Sequence, residues 1–263
     1  MQLSIHSISD IGKIRKRNED SYLEKDITDI NGNKGILLVV ADGMGGHKAG
    51  DVASKTLISD FENNITEFNS TDSNKLLNDL ILKANKNIIE LSKSSSEYEG
   101  MGTTCTAMII INGKVCLGHV GDSRAYLIRK NKIRQLTKDH TVAEQMHNLG
   151  MITKDQLQNS PRRNMLLKAI GFDENLEVDL LDPMNISDND VFLLCSDGLI
   201  EYVGDEELMS IVNLYEPEKA CDVMVKTANK RGGRDNITVQ IAKIIKKSSG
   251  NGIIDNIKNI IKT

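Results

Sequence analysis

The sequence predicts an α+β domain built in layers. Apolar residues alternate or run continuously through several short segments. They then recur at helical spacing over two long stretches and return to hairpins. Strands that pair locally, separated by groups of helices, define the α+β class. No internal repeat and no linker divides residues 1–245, which are read as one domain.

Residues 2–9 alternate loosely and form the first expected strand. Residues 21–27 and 35–41 follow as strands around a turn containing Asn31-Gly32. Over residues 50–68 the period changes, and Val52, Thr56, Leu57, Phe61, Ile65 and Phe68 mark one helical face. Residues 73–92 repeat the pattern with Leu77, Leu80, Ile81, Ala84 and Ile88, so an antiparallel helix pair is expected. Strands 104–111 and 114–120 flank Asn112-Gly113, the strongest short hairpin signal. A second hairpin joins 124–129 to 132–136 through Lys130-Asn131.

The strand pattern lapses over 141–167, where a short helix (142–149, stopped by Gly150) precedes a polar stretch at 158–164. Residues 191–195 read as a buried strand. Helices are expected over 205–213 and 217–230, the second with Pro217 near its start and Gly232 past its end. Residues 237–244 close the domain as a strand. Beyond them, 248–252 (SSGNG) is linker-like. Ile253, Ile254, Ile257, Ile260 and Ile261 then fall on one face of a short amphipathic tail. That tail is expected to dock on the domain, with contact to a membrane surface or a partner as the alternative.

Composition narrows the function classes. Of 263 residues, 39% are hydrophobic and 27% charged, as in ordinary globular proteins. The formal net charge of -4 argues against nucleic acid as the main partner. No apolar run reaches the length of a membrane span, and the start MQLSIHSISD lacks a signal-peptide pattern. Cys105, Cys116, Cys195 and Cys221 show no paired spacing and read as buried free thiols of a reducing compartment. A cytoplasmic monomer is therefore expected.

Four stretches run an apolar or glycine-rich segment straight into an aspartate: LLVVADGMGG, GHVGDSRAY, VFLLCSDG and GGRDNITV. Asp42, Asp122, Asp197 and Asp235 each fall where a buried strand begins or ends. One Asp-Gly pair is an ordinary turn, but turns do not require buried strands beside the acid. Carboxylates gathered at one sheet edge repel unless a cation holds them, and oxygen ligands select hard ions such as Mg²⁺ or Mn²⁺. A further acidic pair, Glu19-Asp20, follows Arg15 and Asn18.

Seven motifs then occur in order. They are D-x-G-x-x-R-x-x-N-E-D-S (10–21), A-D-G-M-G-G-H (41–47), M-G-T-T (101–104), V-G-D-S-R-A-Y (120–126), T-x-D-H (137–140), S-D-G-L (196–199) and G-G-x-D-N-I-T (232–238). The ordered set closely resembles the metal-dependent protein phosphatases of the protein phosphatase 2C family in their bacterial form, over about residues 2–244. The resemblance implies four layers, αββα: a central sandwich of two antiparallel sheets flanked by helix pairs. It implies a serine/threonine phosphatase that uses a water bridging two Mn²⁺ or Mg²⁺ ions and forms no phosphoenzyme.

The resemblance also implies roles for residues. Asp42 would bridge the ions and the Gly43 carbonyl would bind one of them. Asp197 and Asp235 would complete the first ion's shell, and Asp20 or Glu19 would serve the second. Asp122 would join Asp197 at a third, weaker position. Arg15 would hold the substrate phosphate, for which a guanidinium fork is well matched. His47 would donate a proton or orient the substrate. Phosphorylated proteins, among them a Ser/Thr kinase and its substrates, are the implied partners, with a flap at about 141–164 bordering the site. Ser160, Lys168 and Asp51 depart from common bacterial residues outside the metal positions.

Two other readings compete. Gly121-Asp122-Ser123-Arg124-Ala125 is a degenerate nucleophile elbow, but a serine hydrolase needs a helix after it, and here a strand is expected. A phosphatase-like module that only senses or docks would have lost metal positions, and all of them are present here. Met101, Thr103, Thr104 and His140 read as packing or turn residues.

Overall fold

In a computed structural model, which describes residues 2–44, 49–65 and 72–245, eleven strands and seven helices follow one another. The strands are β1 (Gln2–Asp10), β2 (Asp20–Thr28), β3 (Lys34–Met44), β4 (Gly102–Thr103), β5 (Cys105–Ile111), β6 (Lys114–Val120), β7 (Arg124–Arg129), β8 (Lys132–Gln135), β9 (Asp179–Asn185), β10 (Val191–Cys195) and β11 (Ile237–Ile245). The helices are α1 (Gly50–Asn64), α2 (Ser73–Ser94), α3 (Val142–Asn148), α4 (Lys154–Gln158), α5 (Asp197–Ile200), α6 (Asp205–Leu214) and α7 (Pro217–Arg231).

One sheet runs β1-β11-β10-β7-β8 and the other β2-β3-β5-β6-β9, with β4 paired to β3. Every strand pair is antiparallel. Alternation along the strands decides what each sheet face buries. In β3, Leu37, Val39 and Ala41 face α1 and α2, while Ile36, Leu38 and Val40 face the other sheet. In β10, Val191, Leu193 and Cys195 pack toward α6 and α7, while Phe192 and Leu194 turn into the sandwich. Three hydrophobic clusters therefore fill the three gaps between four layers. Each fully buried Leu, Ile, Val or Phe contributes roughly 1.5–3 kcal/mol, so this layering needs no disulfide. All four cysteines are free and buried, as expected.

The αββα sandwich matches the fold expectation, with four elements that patterning did not reveal, among them the two-residue β4. β9 (DLLDPMN) is an edge strand, mostly exposed, so it lacks an apolar face to read; its Pro183 is tolerated at an edge. α4 is one short turn, but Thr153 and Gln156 form a capping box that its sequence does announce. α5 begins at Asp197 itself. The expected helix over 50–68 is described to Asn64. Phe68, His47 and the whole tail 246–263 lie outside the described residues. Among the described residues no helix is long and apolar enough to cross a membrane.

Antiparallel pairing brings one set of strand ends to a common rim. β3 ends at Met44, β6 at Val120 and β10 at Cys195, while β2 starts at Asp20, β7 at Arg124 and β11 at Ile237. Cys195 is in register with Arg124 and with Val239, and Asp20 with Asp42. Asp20 and Asp42 lie in these strand ends, and Asp122, Asp197 and Asp235 lie in the segments just beyond them.

Candidate metal centre

Asp42 is the best-anchored member of the group. Its N–H donates to Thr104 Oγ1 (2.9 Å), and its carbonyl accepts from Thr104 N (2.9 Å) and Thr103 Oγ1 (3.0 Å). The two threonines read as packing residues thus fix the backbone that aims Asp42. The next N–H, from Gly43, donates to the Glu19 carbonyl (3.1 Å). A Cβ on Gly43 would lie 2.1 Å from the Gly50 carbonyl oxygen and 2.5 Å from that of Glu19. Only glycine permits three backbones to meet there.

Asp20 lies opposite Asp42 and is 6% exposed. Its Oδ2 accepts from Ser196 Oγ and Thr238 Oγ1, each at 2.7 Å, while Oδ1 is buried without a hydrogen-bond partner. Glu19 lines the cavity itself, together with Asp42, Gly43, Asp122, Asp197 and Asp235, and the cavity holds about 320 Å³. Arg15 stands at its wall and donates from Nη2 to Asp235 Oδ2 at 2.7 Å.

The electrostatics report how closely these acids crowd. Burial and then the charges of Asp20, Asp197, Asp122 and Asp235 hold the Asp42 carboxyl well above the ordinary carboxylate range. Burial, then Asp197 and Asp139, does the same to Asp122. Asp197 is pushed up to about 7 by burial, Asp235 and Asp20. Asp20 reaches about 6, because burial outweighs the hydrogen bonds from Thr238 and Ser196. Glu19 is raised by burial, against the pull of Arg15. The hydrogen bond to Asp235 raises the Arg15 guanidinium.

A second cavity of about 600 Å³ opens beside the first, between α3, α4 and the α5–α6 segment, and shares Asp122, Asn164 and Asp197 with it. Its lining includes a partly buried network absent from the sequence reading. Arg124 forms a fork onto Asp139 (Nε–Oδ1 2.9 Å, Nη2–Oδ2 2.7 Å), and Gln135 Nε2 donates to the same carboxylate at 3.0 Å. The T-x-D-H segment also grips the Asp122 turn directly. Gly121 N–H donates to His140 Nδ1 (3.0 Å) and His140 N–H donates to the Gly121 carbonyl (2.7 Å). Since His140 Nδ1 accepts, the neutral ring carries its proton on Nε2. That atom lies 3.0 Å from Asp179 Oδ2 without hydrogen-bond alignment, an electrostatic contact only.

The structure thus brings together Arg15, Glu19, Asp42, Gly43, Asp122, Asp197 and Asp235, with Asp20 directly behind Asp42. His47 lies outside the described residues. Ser123 is fully buried, shares a hydrogen bond with Thr104 (2.8 Å) and leads into β7, so the nucleophile-elbow alternative has no geometry here. What sequence reasoning missed is the support: Thr104, His140, Asp139 and Asn236. Each lies inside a recognised motif, which was the available signal.

Do these residues fit Mn²⁺ or Mg²⁺? The donors are all oxygens, the choice of hard cations. Proton affinities raised by burial and then by crowding mark sites where a cation can replace the protons. Among the described residues no group of three or more His, Cys, Asp or Glu is already set to hold an ion. Charge crowding is the more telling test here. One Asp235 oxygen is turned to Arg15 and one Asp20 oxygen to two hydroxyls, which spreads the repulsion. The donor set fits.

The chain is similar to known proteins along most of its length. Residues 6–146 match the family model of protein phosphatase 2C. The serine/threonine phosphatase stp of Listeria welshimeri is 39% identical over 244 residues, covering 89% of this chain and 93% of that protein. Stp1 from Staphylococcus aureus, a serine/threonine phosphatase of solved structure, superposes with a TM-score of 0.84 at 32% identity, covering 94% of this chain and 96% of that one. The catalytic domain of PstP, solved in complex with two manganese ions, gives 0.81 at 31% identity over 93% of this chain and 99% of that one. The chain belongs to the protein phosphatase 2C family.

Proposed function

We propose that this chain is a metal-dependent serine/threonine protein phosphatase, cleaving phosphate from phosphoserine and phosphothreonine in other proteins. The observation that carries this reading is the gathering of five carboxyls, Glu19, Asp42, Asp122, Asp197 and Asp235, in one cavity with Arg15 at its wall. A phosphate monoester is a dianion, so the carboxylates alone would repel it. Bound Mn²⁺ or Mg²⁺ would offset both charges and lower the pKa of a water to supply the nucleophile.

The chain's own residues then divide the work. Asp42, the Gly43 carbonyl, Asp197 and Asp235 would hold the first ion, and Glu19, which lines the cavity, or Asp20, paired with Asp42, would serve the second. Asp122 with Asp197 would hold a third, weaker ion. Arg15 is half exposed beside Asp235, where its fork can take two phosphate oxygens and hold the ester in line for attack. His47 is the candidate donor of a proton to the departing alkoxide. Residues 141–164 form the flap over the larger cavity, where the peptide around the phosphorylated residue would lie. A Ser/Thr kinase and its substrates, met by a monomer in the cytoplasm, are the partners this chemistry serves.

Incubation with Mn²⁺ or Mg²⁺ and a phosphothreonine peptide should release orthophosphate. No release across several divalent ions and substrates would leave a sensing or docking module as the better reading.

A further inference from the structure

The segment between β1 and β2 carries Arg15 and contains no regular secondary structure, so something else must hold the guanidinium in place. Asn236 does so from the opposite end of the chain. Its Oδ1 accepts from Glu19 N–H (2.9 Å), and its Nδ2 donates to the carbonyls of Ile11 (2.9 Å) and Arg17 (2.9 Å). These three anchors straddle Arg15. The side chain is 3% exposed, and the partners fix the amide orientation: an N–H meets the oxygen and two carbonyls meet the nitrogen. Among side chains of this size only Asn offers one acceptor and two donors on a single planar group. Aspartate lacks both donors and serine lacks one.

The same arc of chain is bound to the Asp235 segment twice more. Lys13 N–H donates to the Gly233 carbonyl at 2.7 Å. Gly12, at φ +81°, packs so closely that a Cβ would lie 2.2 Å from the Asp235 carbonyl oxygen. Segments 11–19 and 232–236 therefore behave as one body, carrying Arg15 on one side and Asp235 on the other.

We propose that Asn236 is the positioning residue for Arg15, setting phosphate affinity through the loop it ties down. This rests on the reading of Arg15 as the phosphate-binding group. Its consequence is that binding depends on an amide that touches neither substrate nor ion.

The test uses Asn236→Asp, which keeps the shape, and Asn236→Ser, should the added charge prevent folding. In metal-free, substrate-free protein, deuterium uptake by the peptide covering residues 11–19 should rise sharply, while the β5–β6 hairpin stays protected. With Mn²⁺ and p-nitrophenyl phosphate, KM should rise about three- to tenfold, no more than on losing Arg15 itself, with kcat within about threefold. On an Arg15→Ala background the same substitution should change KM less than twofold, because the positioned group is gone. Unchanged uptake over 11–19, or a KM effect that multiplies with that of Arg15→Ala, overturns the proposal. Failure of the phosphate reading is separately visible as an Arg15→Ala variant with wild-type KM and wild-type inhibition by orthophosphate.

Discussion

Asp20 and Asp42 sit directly opposite one another across β2 and β3, both at the rim of the sandwich. After burial itself, the charge of Asp20 is the largest reason that Asp42 holds its proton above the ordinary range. The fold thus places like charges side by side at the one point where a cation would reverse the sign of the interaction.

Removing one of these charges should stabilise the metal-free protein. Asp42→Asn keeps shape and removes the most crowded carboxyl. Its melting temperature at pH 8, measured with chelator present, should lie about 2–4 °C above wild type, the shift that roughly 1 kcal/mol makes in a domain of this size. A lower melting temperature would mean that Asp42 supports the fold and is not strained by it.

The pH dependence follows from the same burial and crowding. Folded-state values of about 7 for Asp197 and about 6 for Asp20 are raised above those of an unfolded chain. Their contribution to stability is fully present below pH of about 4 and is lost as pH rises through 6 and 7. Metal binding needs the deprotonated forms. The Mn²⁺-induced rise in melting temperature should therefore be small at pH 5 and large at pH 8. Buried His119, depressed to about 3 by burial and then by His140, contributes in the opposite direction below pH 6.5, but equally with and without metal. An increment independent of pH would dissociate the carboxyls from the ion.

Arg15→Ala should mainly raise KM for phosphosubstrates, about tenfold, because a guanidinium fork binds ground state and transition state alike. Steady-state kinetics decide the matter: a pure kcat effect would assign Arg15 to the chemical step instead.

Asp122→Ala should leave two ions bound by calorimetry yet slow hydrolysis. Asp122 is only 7% exposed and its charge meets that of Asp197. Unchanged rates would remove any role for a third ion.

Most of this fold was legible in the sequence because its strands bury both faces. Runs such as those of β3 and β10 leave no competing interpretation, and Asn112-Gly113 fixes its hairpin. β9 was not legible, since an exposed edge strand presents neither alternation nor a buried run. At the site, the aspartates announced themselves by following buried strands. Their supports did not: Thr104, His140 and Asn236 act through backbone groups brought together from distant segments. Nothing local in the sequence says which carbonyl an amide will meet. The distinction between Glu19 and Asp20 was likewise invisible, because it depends on which neighbour faces the cavity and which faces Ser196 and Thr238.

These carboxylates are proposed to hold the ions with which the chain hydrolyses phosphoproteins. The most direct test is the Mn²⁺ dependence of phosphothreonine-peptide turnover by wild type, Asp42→Asn and Asp197→Asn, each shown to be folded by circular dichroism. Wild type should turn over only with the ion present, and both variants should fall at least about a thousandfold, the scale expected when a residue essential to the chemistry is lost. Turnover in chelator, or wild-type rates in either variant, would contradict the account.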